Sequence, residues 1–163
     1  MARAITDEAF GAWLLKRSSR TWDVVAWVAA GPGHRQEWCV QPSYRSARMR
    51  AGDPVVLWVS GSARSEPAAG VWGLGRLRGP ATTPAIAGKP VVPVDVAMLG
   101  LLLTRVQARQ DPVLQGMEVL RQPSMGNPGW LTVPEWDRLQ HVVVAARGGA
   151  PGRVRPPVPG SPP

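Results

Sequence analysis

The run Pro54-Val55-Val56-Leu57-Trp58-Val59 constrains the fold more than any other segment of this chain. It carries no charge, is short, and is rich in β-branched side chains. That combination predicts a buried β-strand rather than a helix. Ten residues later, Gly70-Val71-Trp72-Gly73-Leu74-Gly75-Arg76-Leu77 alternates glycine with larger residues. Glycine inside a strand marks a bulge, a bend, or close approach of another backbone or a ligand. The interval Ser60–Ala69 is rich in small residues, so the two strands read as a hairpin.

The other segments fit the same architecture. Ala12–Lys16, Glu37–Val40 and Val91–Val96 read as short strands, with Pro93 placing the last near an edge or bulge. Asp23 reads as the N-cap of a short helix and Gly31 as its stop. Ser43–Arg50 predicts a polar helical turn broken by Gly52. Thr132-Val133-Pro134-Glu135 is a capping box, opening a helix to about Val144 with Trp136, Leu139 and Val143 on one face. Strands cluster instead of alternating with long helices. This favours an α+β or β-barrel domain and argues against a doubly wound sheet. The organisation reads as a lead-in over 1–11, one domain over 12–146, and a tail over 147–163. That tail holds six Pro and four Gly and predicts polyproline-leaning disorder.

Several functions are disfavoured by what the residues can do. No apolar run reaches the length a membrane helix needs. Asp7 and Glu8 sit where a signal peptide would be apolar, and the single Cys39 excludes an internal disulfide. The expected location is cytoplasmic. Structural zinc needs four closely spaced ligands, whereas only His34, Cys39 and His141 exist, so no metal is expected. Cys39, in a strand-like Trp-Cys-Val context, reads as a small buried thiol rather than a nucleophile. Gly70–Gly75 has no following Lys-Ser/Thr and opens no helix, so it is not a phosphate loop. The carboxylates occupy capping or turn positions without acid/base spacing. The expectation is a non-enzyme without a cofactor.

Net charge is +8, with 17 Arg and two Lys among the basic residues. Lys16 to Arg50 holds seven basic residues against Asp23 and Glu37, a local balance of +5. Arg-rich positive charge suits a polyanion, nucleic acid first; a solvated basic face is the plain alternative. Eight of the ten aromatic residues are Trp. Trp stacks on bases and cations better than any other side chain, yet most of these rings must build the core. Trp38, between a polar loop and the basic segment, is the better pocket candidate; Trp58, inside an apolar run, reads as core.

At this point the residues resemble a known family. Trp13–Lys16, Trp38–Val40, Gly52–Gly61 and Gly70–Gly75 are similar, in order and spacing, to the EVE domain. Asp111–Leu114, Met117–Arg121, Gly126–Pro128 and Leu131-Thr132 extend the likeness to about residues 12–141. The resemblance implies a PUA-like α+β fold: a small β-barrel of five to six strands with short flanking helices, related to the YTH domain that reads N6-methyladenine. It further implies a non-catalytic reader of a modified base in DNA or RNA. Trp38 would be a pocket wall, Ser60 and Gly61 the pocket floor, and Tyr44 with Arg45 the rim. Asn127 would contact the ligand or cap a turn. Arg45, Arg48 and Arg50 would hold phosphates, which position without specifying. Two departures stand out: Arg17-Ser18-Ser19 replaces Ser-Glu-Pro, and Val40-Gln41-Pro42 replaces an Arg-Asn pair. The alternative is a small-ligand or protein-interaction module that binds no nucleic acid.

Overall fold

The computed structural model describes residues 3–31, 36–62, 64–83 and 88–148. The Pro-rich tail expected beyond these lies outside the described residues. The fold is a mixed α+β arrangement in which six strands form one curled sheet, a half-barrel, accompanied by a few helices. In chain order these are β1 (Phe10–Ser18), α1 (Val24–Ala30), β2 (Gln36–Cys39), β3 (Pro54–Ser60), β4 (Gly70–Leu77) and β5 (Val91–Thr104). Then follow α2 (Arg105–Gln110), α3 (Glu118–Arg121), β6 (Gly129–Thr132) and α4 (Val133–Gly148). Two 3₁₀ turns, Ser46–Arg48 and Leu114–Gly116, fill the connections.

The strand order is β2-β5-β4-β3-β1-β6. The hairpin β3–β4 forms as expected. The pairing β1–β3 is parallel, aligning Trp13 with Val55 and Ser18 with Ser60. Both faces of the central strands are covered, which is why β3 reads as a continuous apolar run rather than an alternating one. Trp13, Leu15, Val55, Leu57 and Val59 face the concave interior with Trp38, Val92, Val94 and Trp130. Ala12, Leu14, Val56 and Trp58 face the other way, against Leu114, Met117, Leu120, Leu139 and Val143 from the helical side.

The glycines of β4 serve both uses foreseen for them. A register shift between Val71 and Gly73 leaves Trp72 as a bulge against β5. At Gly75 an added Cβ would lie 2.0 Å from the carbonyl oxygen of Asp95, so β5 can approach only because no side chain is there. The caps of α1 are as read: Asp23 accepts from the Ala26 amide, and Gly31 ends the helix at φ 77°. The box before α4 also forms, with Glu135 accepting from the Thr132 amide.

Pro93 lies near an edge, opposite Glu37 of β2, the edge strand. Two expectations change. Cys39 is exposed rather than buried. The two-residue period of β2 turns Trp38 and Gln36 inward, which forces Glu37 and Cys39 outward. Residues near the start are also engaged: Ile5 is buried, and Arg3 pairs with Glu135 at 3.0 Å.

Candidate nucleic-acid interface

The residues expected to form one pocket are distributed over four places. Trp38 is the most enclosed, only 3% exposed. It meets Trp22 at 5.4 Å between centroids and Trp27 at 6.2 Å, both edge to face, and those two meet each other at 5.0 Å. The three rings stand nearly perpendicular in pairs and make a corner. Trp22 lies one residue before the cap of α1 and Trp27 lies on it, so the short helix is what carries two rings to the third. The guanidinium of Arg17 lies over Trp38, 5.1 Å from the ring centroid. Such a cation–π contact, with an exposed arginine over a buried ring, is worth between about 0.5 and 2 kcal/mol. The Trp22 Nε1–H is buried without a hydrogen-bond partner.

Ser60 and Gly61 line a different space. A cavity of about 440 Å³ opens where β1 and β3 end side by side. Its walls are Ser18, Ser19 and Arg20 from one strand end and Ser60, Gly61, Ser62, Ser65 and Glu66 from the other, so one carboxylate stands opposite the one arginine. Hydroxyls dominate, and each can donate or accept. Gly61 is fixed by close approach: a Cβ there would lie 2.2 Å from Ser65 Oγ. Arg105 Nη1 donates to the Gly61 carbonyl at 2.8 Å. Neither Trp38 nor Arg17 lines this cavity.

Tyr44, Arg45 and Asn127 come together in a third place, a shallower cavity of about 210 Å³. Here the polar groups bind each other. Arg45 sends both ends of its fork to Glu118, at 2.8 and 2.9 Å, and donates to the Pro128 carbonyl. Glu118 is buried, and the Arg45 side chain is 13% exposed. Burial opposes the charge on Arg45, but hydrogen bonds and attraction from Glu118, aided by Tyr44, outweigh it and hold the guanidinium above its ordinary pKa. Asn127 clamps β1: its Oδ1 accepts from the Lys16 amide at 2.8 Å, and its Nδ2 donates to the Lys16 carbonyl at 2.9 Å. Tyr44 stays exposed.

Arg48 and Arg50 are in a fourth place, at the beginning of β1 and β3 beside Trp13 and Asp53. Five residues of strand separate Trp13 from Ser18, about 17 Å at 3.3 Å per residue. Two arginines expected to hold phosphates near the pocket therefore sit at the far end of the sheet from Ser60. The residues missed by sequence reasoning are Arg17, Ser18, Ser19, Arg20, Trp22 and Trp27. Their signal was present in Ser18-Ser19 and Ser60-x-Ser62-x-x-Ser65, two hydroxyl clusters at strand ends. Only the parallel pairing of β1 with β3 makes those clusters neighbours. Among the described residues, no three His, Cys, Asp or Glu converge in a way that could hold a metal ion.

The fold recurs in solved structures. A hypothetical protein from Leishmania major matches with TM-score 0.60 at 18% identity, covering 87% of this chain and 99% of that one. A protein from Rhodopseudomonas palustris matches with TM-score 0.60 at 18% identity, covering 83% and 94%. One from Pseudomonas syringae matches with TM-score 0.58 at 15% identity, covering 81% and 99%. No protein-family model matches the chain, and no curated protein does. At these identities the likeness establishes a shared fold alone.

Proposed function

We propose that this is a PUA-like domain of the EVE type that binds nucleic acid without catalysis and admits one extruded base, a modified one included. The observation that carries the reading is the hydroxyl-lined cavity of about 440 Å³ where β1 and β3 end side by side. Its volume falls within the 300–1,000 Å³ usual for ligand pockets. Ser18, Ser19 and Ser60 supply donors and acceptors for the polar edge of a base. Arg20 lines the cavity, where it would meet a phosphate, a role this reading moves from Arg45, Arg48 and Arg50.

The energetics decide whether Trp38 can serve as a stacking face. Lifting Arg17 from this enclosed ring costs between about 0.5 and 2 kcal/mol. Stacking a base there returns about 1–3 kcal/mol. Exchange requires stacking at the upper end of that range.

The test is a salt-titrated binding assay on a panel of modified and unmodified DNA and RNA oligonucleotides. Arg20→Ala should weaken all sequences alike and flatten the salt dependence by about one phosphate contact. Ser60→Val should weaken binding with no change in salt dependence. Trp38→Ala should reduce affinity by the stacking energy, read only in protein whose near-ultraviolet circular dichroism remains native. Affinity unchanged by Ser60→Val overturns the pocket. Absence of binding to every oligonucleotide at low salt overturns the nucleic-acid reading and favours a small-ligand module using the same cavity.

A further inference from the structure

We propose that the cavity at the opposite end of the sheet is a second, independent binding site that takes a phosphate group. It encloses about 350 Å³ where β1 and β3 begin. Arg48 and Arg50 come from the turn before β3, Phe10 and Trp13 from β1, and Asp7 from the segment preceding β1.

The charged groups there are unequally engaged. Asp53 is held in place: its Oδ2 accepts from Trp13 Nε1–H at 2.8 Å and from the Arg50 amide at 2.9 Å. The guanidinium of Arg50 has no hydrogen-bond or ion-pair partner among the described residues. Arg48 pairs only with Asp7, whose side chain is 92% exposed. An exposed pair of this kind is worth between nothing and about 1 kcal/mol and is screened by salt.

Asp7 therefore acts as a removable latch. A phosphate carries more charge than one carboxylate and matches the arginine fork with two oxygens. On its arrival Asp7 turns into solvent, leaving two guanidinia facing the ligand against the single fixed carboxylate of Asp53. The half-buried Phe10 ring, 4.7 Å from Trp13 between centroids, adds an apolar neighbour for whatever bears the phosphate. The same chemistry is offered by a free phosphorylated metabolite and by the backbone or end of a nucleic acid.

The Trp13 indole N–H reports on this site, because its acceptor Asp53 lines the cavity. The full chain labelled with ¹⁵N is titrated with sodium pyrophosphate, a nucleoside monophosphate, and oligonucleotides with and without a 5′-phosphate. A saturable shift of the Trp13 indole signal is expected. Arg50→Glu should weaken it at least about tenfold. Asp7→Asn should tighten it by up to about fivefold, the factor that release of about 1 kcal/mol gives. The control Asp137→Asn, at an exposed position of α4, should leave it unchanged. Response to pyrophosphate and mononucleotide identifies a small phosphorylated ligand; response confined to oligonucleotides identifies the polymer. No Trp13 shift with any probe, or equal affinity in Arg50→Glu, overturns the site. Neither result bears on Ser60 or Trp38, so the two sites fail or stand separately.

Discussion

Arg45→Ala separates a phosphate-binding arginine from one that holds the fold. Its fork closes on Glu118 with two bonds of 2.8 and 2.9 Å, and Glu118 is only 5% exposed. No other side chain donates to that carboxylate among the described residues. Truncating Arg45 therefore leaves a buried charge without a partner, a loss of about 3–5 kcal/mol. For a chain of this length, about 2–4 °C accompanies each kcal/mol, so the melting temperature should fall by about 6–20 °C. Replacing both residues, Arg45→Met with Glu118→Met, should restore most of the loss, because two apolar chains of similar length remove the charge that needed a partner. The assay is thermal and urea unfolding of Arg45→Ala and of the cycle formed by the parent, Arg45→Met, Glu118→Met and the double variant. A single variant within about 1 kcal/mol of the parent, or a coupling energy near zero, refutes the reasoning.

Other perturbations follow from individual contacts. Asn127→Ala removes a donor and an acceptor from Lys16 in the middle of the sheet and should cost about 2–3 kcal/mol, with faster amide exchange at Lys16. Gly75→Ala places a methyl group 2.0 Å from the Asp95 carbonyl oxygen. It should destabilise by more than about 2 kcal/mol in urea unfolding, because backbone and not a side chain must move. Asp111 is held below the usual carboxylate range: burial acts to raise its pKa, but the amides of Leu114 and Val113 and the guanidinium of Arg138 prevail. A depressed carboxylate stabilises the fold above its unfolded pKa near 3.9 and loses that contribution as the pH falls through the folded value. Parent stability should drop below about pH 4, and Asp111→Asn should show a smaller drop; equal slopes in the two proteins would count against this.

Much of the local structure was legible because its causes are local. Asp23 and Gly31 bracket α1 through interactions within three or four residues. Thr132 and Glu135 bond each other across one helical turn. The glycine spacing of β4 announced both a bulge and a close approach. By contrast, β6 is four residues long and has little propensity of its own; it exists because Gly129–Leu131 pair with Leu14–Ala12 of β1. Likewise β5 continues past Val96 to Thr104 because β4 pairs with it there, across a register shift no local pattern announces.

The candidate site divides in the same way. The amino-acid sequence by itself determined that this chain builds an α+β domain on short strands, that it is strongly basic, and that Trp supplies eight of its ten aromatic rings. Only the tertiary structure decided which of these residues meet. Ser18 and Ser60 become neighbours through a parallel pairing between strands some forty residues apart. Trp22 and Trp27 reach Trp38 only because α1 packs into the same core as β2. Arg45, by composition one basic residue among nineteen, is removed from the binding surface by a carboxylate 73 positions away. Propensity acts over a few residues, whereas a site is made by contacts between strands and helices distant in the chain, and those are fixed only when both faces of the sheet are buried.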